Sequence, residues 1–296
     1  MVSLDEIAID GTKVRAHASR TSFRTGEKLL EIEAAVAERL GALKQELASD
    51  PGASNRRRQA ARERAARDVQ ERSARARAAL ERLEAERKAR AKTHARDEAK
   101  KKGPKASTTD PEARCMRFPD GAMRPAYNAQ IAAAPKEGVI VSIAVTDRRN
   151  DAGLAAPMVD AIARRYGRTP DRLLADTSYA TSEDIVALAA HAGGPVEVYA
   201  PPPSEKDDVK PASLARRRRK REKEPACLKA WRERMASEAG KAVYALRKHI
   251  ERVNADRKNH GFGFLPVRGL IKARAYALWH ALANNLMAAR RLRAAA

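Results

Sequence analysis

The stretch MRPAYNAQIAAAPKEGVIVSIAV, residues 123–145, sets the architecture of the chain. Its two apolar runs, 123–133 and 139–145, flank Pro135-Lys136-Glu137-Gly138, whose Pro and Gly supply a turn. The pattern predicts an antiparallel strand pair. On the C-terminal side, residues 151–166 place Leu154, Met158, Ile162 and Tyr166 at helical steps. Residues 172–175 form a short apolar strand that ends at Asp176, residues 182–192 a helix, and residues 195–199 a last strand. A loop rich in Pro and charge, 201–226, leads to residues 228–296, which read as helix with one break at Gly261-Phe262-Gly263. On the N-terminal side, residues 4–10 alternate and stop at Gly11, a strand that delivers Asp10 at its end.

Between these parts lies a different composition. Leu29, Ile32, Val36, Leu40, Leu43 and Leu47 fall at steps of three and four, an amphipathic helix over 27–48 that Ser49-Asp50-Pro51-Gly52 breaks. Residues 54–101, rich in Ala, Arg and Glu, form a second helix with a thin stripe of Val69, Ala76, Leu80 and Leu83, closed by Gly103-Pro104. The expected fold class is α/β: a mixed five-stranded sheet flanked by helices, with a long helical hairpin inserted after the first strand. In domain terms, residues 1–24 carry the first strand, 25–105 the hairpin insertion, and 106–296 the remainder, with a basic loop at 201–227.

Lys and Arg number 60 against 38 Asp and Glu, a formal net charge of +22. This excess points to a polyanion, and nucleic acid is the commonest one, because binding phosphates releases condensed counterions. The densest basic run is Arg216–Arg219 with Lys220 and Arg221, and Arg56-Arg57-Arg58 opens the second insertion helix. The most apolar run, 139–145, is far too short to span a bilayer, and residues 1–10 lack the pattern of a secretory signal. Cys115 and Cys227 form no C-x-x-C pair, and His17, His94, His191, His249, His260 and His280 are scattered. A disulfide framework and a structural zinc site are therefore not expected. Trp231 and Trp279 are both read as core residues of helices.

Metal-assisted phosphodiester chemistry needs hard oxygen ligands on rigid elements that converge on one place. Asp10 and Asp176, both at expected strand ends, are candidates, although a single aspartate there commonly serves a turn or a cap. In the last helical region Tyr244, Arg247, Glu251 and Lys258 are spaced by three, four and seven residues, so one helix would carry all four on one face. An acid between two cations and a phenol suits a metal ligand flanked by phosphate-binding groups; a solvated face with ion pairs has the same composition.

With that spacing the chain resembles the DDE transposases of bacterial insertion sequences, in the group marked by a Y-x2-R-x3-E-x6-K motif. Ile9-Asp10-Gly11-Thr12-Lys13-Val14, Arg124-Pro125-Ala126-Tyr127-Asn128-Ala129-Gln130 and Leu174-Ala175-Asp176-Thr177-Ser178-Tyr179 carry the resemblance further. Val267-Arg268-Gly269-Leu270 and the run from Leu278 to Leu286, with Asn284-Asn285, extend it to the C-terminal region. The resemblance implies an RNase H-like fold and a triad of Asp10, Asp176 and Glu251 holding Mg²⁺ or Mn²⁺, as two ions. Arg247 and Lys258 would hold phosphates and Tyr244 the DNA end. It also implies cleavage at element ends, transfer of a 3′-hydroxyl into target DNA, a homodimer or higher oligomer on DNA, and a cytoplasmic, nucleoid-associated location without membrane attachment.

Two features depart from the group. Ser178 stands where glycine is usual, so a positive-φ backbone there would be strained. Only nine residues precede Asp10, where relatives usually carry an N-terminal DNA-binding region. The expected function is thus a DNA transposase. A catalytically inactive or truncated remnant that acts only as a basic nucleic-acid-binding protein is the alternative, and an RNase H-like nuclease that cuts without joining shares the triad.

Overall fold

The computed structural model describes residues 2–49, 53–99, 103–203, 219 and 221–295. Its strands in chain order are β1 (Glu6–Arg15), β2 (Phe23–Arg24), β3 (Ala106–Ser107), β4 (Arg114–Arg117), β5 (Met123–Ala134), β6 (Val139–Thr146), β7 (Arg172–Leu174) and β8 (Glu197–Tyr199). The helices are α1 (Gly26–Ser49), α2 (Ala53–Ala99), α3 (Ala155–Tyr166), α4 (Ser182–Ala189), α5 (Ala226–Ala236), α6 (Glu238–Ala245), α7 (Lys248–Arg257) and α8 (Leu270–Ala295). Two compact units divide them: Met1–Val14 with Asn128–Phe264 and Ala273–Ala296, and Arg15–Tyr127 with Leu265–Lys272.

In the first unit the strands run in the order β6, β5, β1, β7, β8. β5 and β6 are antiparallel, with a register shift at Ala132/Ala133, while β1–β7 and β7–β8 are parallel. Ile7, Ala8 and Ile9 of β1 have no exposed surface, as a central strand covered on both faces requires. Leu173, Leu174 and Ala175 are likewise fully buried. This mixed α/β sheet flanked by helices is consistent with the RNase H-like fold that the resemblance implies, with the long helices following the first strand.

The expectation that β1 stops at Gly11 is corrected: it continues to Arg15. Thr12 and Val14 keep the alternation and are buried, and Gly11 is accommodated because the space its Cβ would fill is occupied by Asp151. Helix α3 starts at Ala155 and not at Asp151, because Gly153 takes φ +74° and turns the chain before the helix can begin. Asp184 secures that turn: Thr181 caps α4 by accepting from the Asp184 N–H, while the Asp184 carboxylate accepts from the Gly153 N–H at 2.9 Å and from the Thr181 hydroxyl at 2.8 Å.

Helix α8 turns Ala273, Ala277, Ala281, Asn284 and Ala288 inward. Asn284 donates to the Gly138 carbonyl, and Asn285 both donates to the Ile140 carbonyl and accepts its N–H, each at 2.8 Å. Asn285 thus pairs with the β6 backbone as a neighbouring strand would. Trp279 lies on the opposite side of the helix and is 70% exposed, which overturns its assignment to the core. Trp231 is buried as expected and donates its indole N–H to the Ala200 carbonyl. None of the described helices is long and apolar enough to cross a membrane.

The second unit is built on the helical hairpin. Ion pairs Arg62–Glu46 and Arg77–Glu33 fix α1 and α2 as antiparallel, and Leu29, Ala76, Leu80 and Ala106 form their core. The exposed side of α2 carries Glu63–Arg67, Asp68–Arg72 and Glu71–Arg75, pairs one turn apart that support a helix with so thin an apolar stripe. The hairpin is closed at its base by β2 and β3, which the sequence pattern does not announce. There the Ser107 hydroxyl accepts from the Thr109 and Asp110 N–H groups, so it donates to Ser22, which in turn donates to the Ser19 carbonyl. β4 adds to the first residues of β5, Arg114 opposite Ala126 through Arg117 opposite Met123. The break at residues 50–52 and most of the basic run at 216–221 lie outside the described residues.

Candidate functional site

Parallel pairing of β1 with β7 runs Glu6–Arg172, Ile7–Leu173 and Ala8–Leu174, and then ends. Asp10 and Asp176 each follow two residues later, so the same register carries both aspartates just past the end of the β1–β7 pairing. They are near enough that the Asp176 charge acts on Asp10. Burial raises the Asp10 carboxyl above its ordinary value of 3.8; Arg247 and a hydrogen bond from Asn254 oppose this, and Asp176 adds to it. Asp10 is therefore a partly desolvated carboxylate beside a second acid, a place where positive charge is favoured.

That charge is supplied by Arg247. Its guanidinium reaches Asp10 Oδ1 at 3.3 Å and Glu251 Oε1 at 2.9 Å. Arg247 is itself mostly buried, whereas the Glu251 side chain is 61% exposed. Among the described residues no three Asp, Glu, His or Cys side chains are grouped so as to hold a metal ion. The structure thus brings Asp10 and Asp176 together directly and joins Glu251 to them through Arg247. Tyr244 is half-buried and close enough for its phenol to act on Arg247. Lys258 is exposed at the start of the π-type turn Lys258–Phe262.

The expected single helix from Tyr244 to Lys258 is in fact divided. α6 ends at Ala245, α7 begins at Lys248, and between them Leu246, Arg247, His249 and Ile250 each donate to the carbonyl three residues back. Leu246 and Arg247 keep right-handed helical dihedrals, so the chain tightens without turning away. Arg257, buried and bonded to Asp256 and the His280 carbonyl, anchors the far end of α7.

Two further side chains belong to the site and were not singled out from sequence. Asn254, one turn after Glu251, is 6% exposed and donates to Asp10 Oδ2 at 2.6 Å. Its spacing of three from Glu251 was the available signal. Asn254 Oδ1 and Arg247 Nε are both buried without a hydrogen-bond partner. Orphaned polar atoms beside a buried carboxylate mark a place where ligand or water atoms belong. Asp151 is the other: its Oδ1 accepts from Asn128 and Gln130, each at 2.7 Å, and a Cβ on Gly11 would lie 2.4 Å from that oxygen. Tyr179 donates to Gln130, and its phenol is pushed up by burial and then by Asp151, Asp10 and Asp176.

Ser178 does not have the strain expected of it. No non-glycine residue has positive φ among the described residues. The Ser178 N–H and hydroxyl instead both donate to Asp176 Oδ1, at 2.8 and 2.6 Å.

A family described as the transposase DDE domain matches residues 106–287. The matched span contains Asp176 and Glu251, whereas Asp10 precedes it. No curated protein and no solved structure matches the chain.

Proposed function

The chain belongs to the transposase DDE-domain family, and from that premise we propose that it cuts DNA at the ends of an insertion sequence and joins them to target DNA. The observation that carries this reading is the shared register of Asp10 and Asp176 at the β1–β7 pairing, with Arg247 brought against Asp10 and Glu251 bonded to Arg247. The donors are carboxylate oxygens, as Mg²⁺ or Mn²⁺ prefers, and the orphaned Asn254 Oδ1 adds a neutral acceptor beside them. Asp10, Asp176 and Glu251 would hold the metal, as two ions. Bound there, it would activate the attacking oxygen and stabilise the leaving one.

The protein's own residues do the rest. Asn254 fixes the rotation of the Asp10 carboxylate through Oδ2. Arg247 keeps Asp10 and Glu251 from repelling one another, and a DNA phosphate offers its guanidinium a bidentate partner that frees Glu251. Lys258 and Tyr244 then hold the strand on either side of Glu251. A second reading draws on the same geometry. Glu251 is bonded to Arg247 and not grouped with the two aspartates, as in a basic nucleic-acid-binding remnant without catalysis.

Strand transfer of a labelled element end into plasmid DNA, with Mg²⁺ or Mn²⁺, separates the two. The expected result is metal-dependent joined product that is lost in Glu251→Ala. DNA binding without cleavage by the native chain would refute the catalytic reading and favour the remnant.

A further inference from the structure

We propose that Ser178 is a positioning residue that sets which oxygen of Asp176 is offered to a divalent cation. The inference rests on the reading of Asp176 as a metal ligand. A carboxylate at the end of an aspartate turns over a broad torsional range. At Asp176 that freedom is removed, because the Ser178 N–H and hydroxyl both fall on Oδ1. Two donors on one oxygen leave Oδ2 as the oxygen with its lone pairs to give. The backbone N–H alone would hold Oδ1 by a single bond, about which the carboxylate can still rock; the hydroxyl supplies the second point.

The hydroxyl is oriented in turn. Its oxygen lies 2.6 Å from Asp176 Oδ1 and 3.5 Å from Asp151 Oδ2, and it has one proton to give. The shorter contact takes it, so the bond to Asp176 is the one formed. Asp151 cannot move closer to compete, because its other oxygen is held by Asn128 and Gln130. Asp151 thus stays at 3.5 Å behind Ser178 and leaves the hydroxyl to Asp176. Neither Ser178 nor Asp151 needs to touch DNA or metal for this to matter, since groups that orient a metal ligand commonly govern affinity by about 10–100-fold.

The test is Mn²⁺ titration of the full-length chain, followed by electron paramagnetic resonance of the free ion, for the native protein and for Ser178→Ala, Ser178→Thr and Asp176→Asn. Melting curves in a chelator establish that each variant is folded. Ser178→Ala is expected to bind Mn²⁺ about 10-fold more weakly, and Ser178→Thr, which keeps the hydroxyl, to bind within about twofold of native. In end cleavage the alanine variant should need more Mg²⁺ for half-maximal rate while recovering most of that rate at saturation. A merely structural loss would lower the rate at every concentration. Native affinity in Ser178→Ala together with lost binding in Asp176→Asn would overturn the positioning role and leave the metal reading standing. Native affinity in Asp176→Asn would remove the metal reading itself, and this inference with it. Should Ser178→Ala fail to fold, Ser178→Gly removes the same hydroxyl and is read by the same criteria.

Discussion

Gly11 sits between Asp10 and the buried Thr12 in the central strand, and replacing it by alanine tests how firmly the far side of the site is built. A Cβ there would lie 2.4 Å from Asp151 Oδ1, 2.7 Å from Gln130 Nε2 and 2.8 Å from Asp151 Cγ. Gly11 has no positive φ, so alanine is compatible with the backbone and the whole cost is steric. Relief requires Asp151 to retreat by about 1 Å toward ordinary contact distance, which breaks at least one of its two 2.7 Å amide bonds. Overpacking costs about 1–3 kcal/mol and a hydrogen bond to a charged group about 1.5–3 kcal/mol, so Gly11→Ala should lose roughly 2.5–6 kcal/mol. At about 2–4 °C per kcal/mol, the melting temperature should fall by roughly 5–24 °C. Gly41, in the middle of α1 with open space around it, is the control: its alanine variant should gain up to about 1 kcal/mol. The decisive measurement is a double-mutant cycle by urea denaturation. In an Asp151→Ala background the cost of Gly11→Ala should shrink by at least about 1 kcal/mol, because the two Asp151 atoms it strikes are gone and the Gln130 amide loses the partner that holds it in place. A Gly11→Ala variant within about 0.5 kcal/mol of native, or a cost unchanged by Asp151→Ala, would refute the packing described here.

Other outcomes follow from the same reasoning. Asp110 is buried, its Oδ1 accepts from Tyr127 and from the Gly269 N–H, and its Oδ2 has no partner. Burial raises this carboxyl above 3.8, so the acid form is the one the fold favours, and the stability it contributes at low pH is lost as pH rises through the raised value. Asp110→Asn should therefore gain on the native protein as pH climbs above about 4; parallel curves of stability against pH would contradict this. Trp231→Ala should cost about 3–5 kcal/mol and Trp279→Ala no more than about 0.5 kcal/mol, since one is buried and hydrogen-bonded and the other lies in solvent. Thermal melts that ranked them the other way would show that α8 is turned.

The parts of the fold legible in the sequence are those where burial marks the chain. Helix α3 repeats every three to four residues because one face meets the core, whereas the β5–β6 hairpin and β7 show as short apolar runs because β5 and the inner residues of β7 are covered on both faces. β2 and β3 escaped notice because two residues cannot display a period. The continuation of β1 past Gly11 escaped because a glycine normally ends a strand, and here its missing side chain makes room for a residue 140 positions away in the chain. Asp151 had no local mark at all. Its role comes from contacts 21 and 23 residues distant, on strand β5. Trp279 was misplaced because a helix with alanines on its inner face hides the usual sign of which side is buried.

The motif region shows why spacing alone located the site residues without giving their geometry. In a regular α-helix each residue turns about 100°, so Tyr244 and Arg247, three apart, would be displaced by about 60° around the axis. The hydrogen bonds from Leu246, Arg247, His249 and Ile250 to carbonyls three residues back tighten the chain toward three residues per turn at this place. There residues three apart stand one above the other, and the phenol of Tyr244 comes near enough to act on the guanidinium that holds Asp10. Regular helix then resumes, and the four-residue step to Glu251 and the further three to Asn254 straddle the same face. Arg247 and Asn254 thereby reach the two oxygens of Asp10 from positions about two turns apart, with Glu251 between them at the solvent edge. No residue from Ala245 to Lys248 announces the tightening, since each is compatible with an ordinary helix. It arises where the chain must satisfy a buried carboxylate with two side chains seven residues apart, a demand set by β1 and invisible from the helix alone.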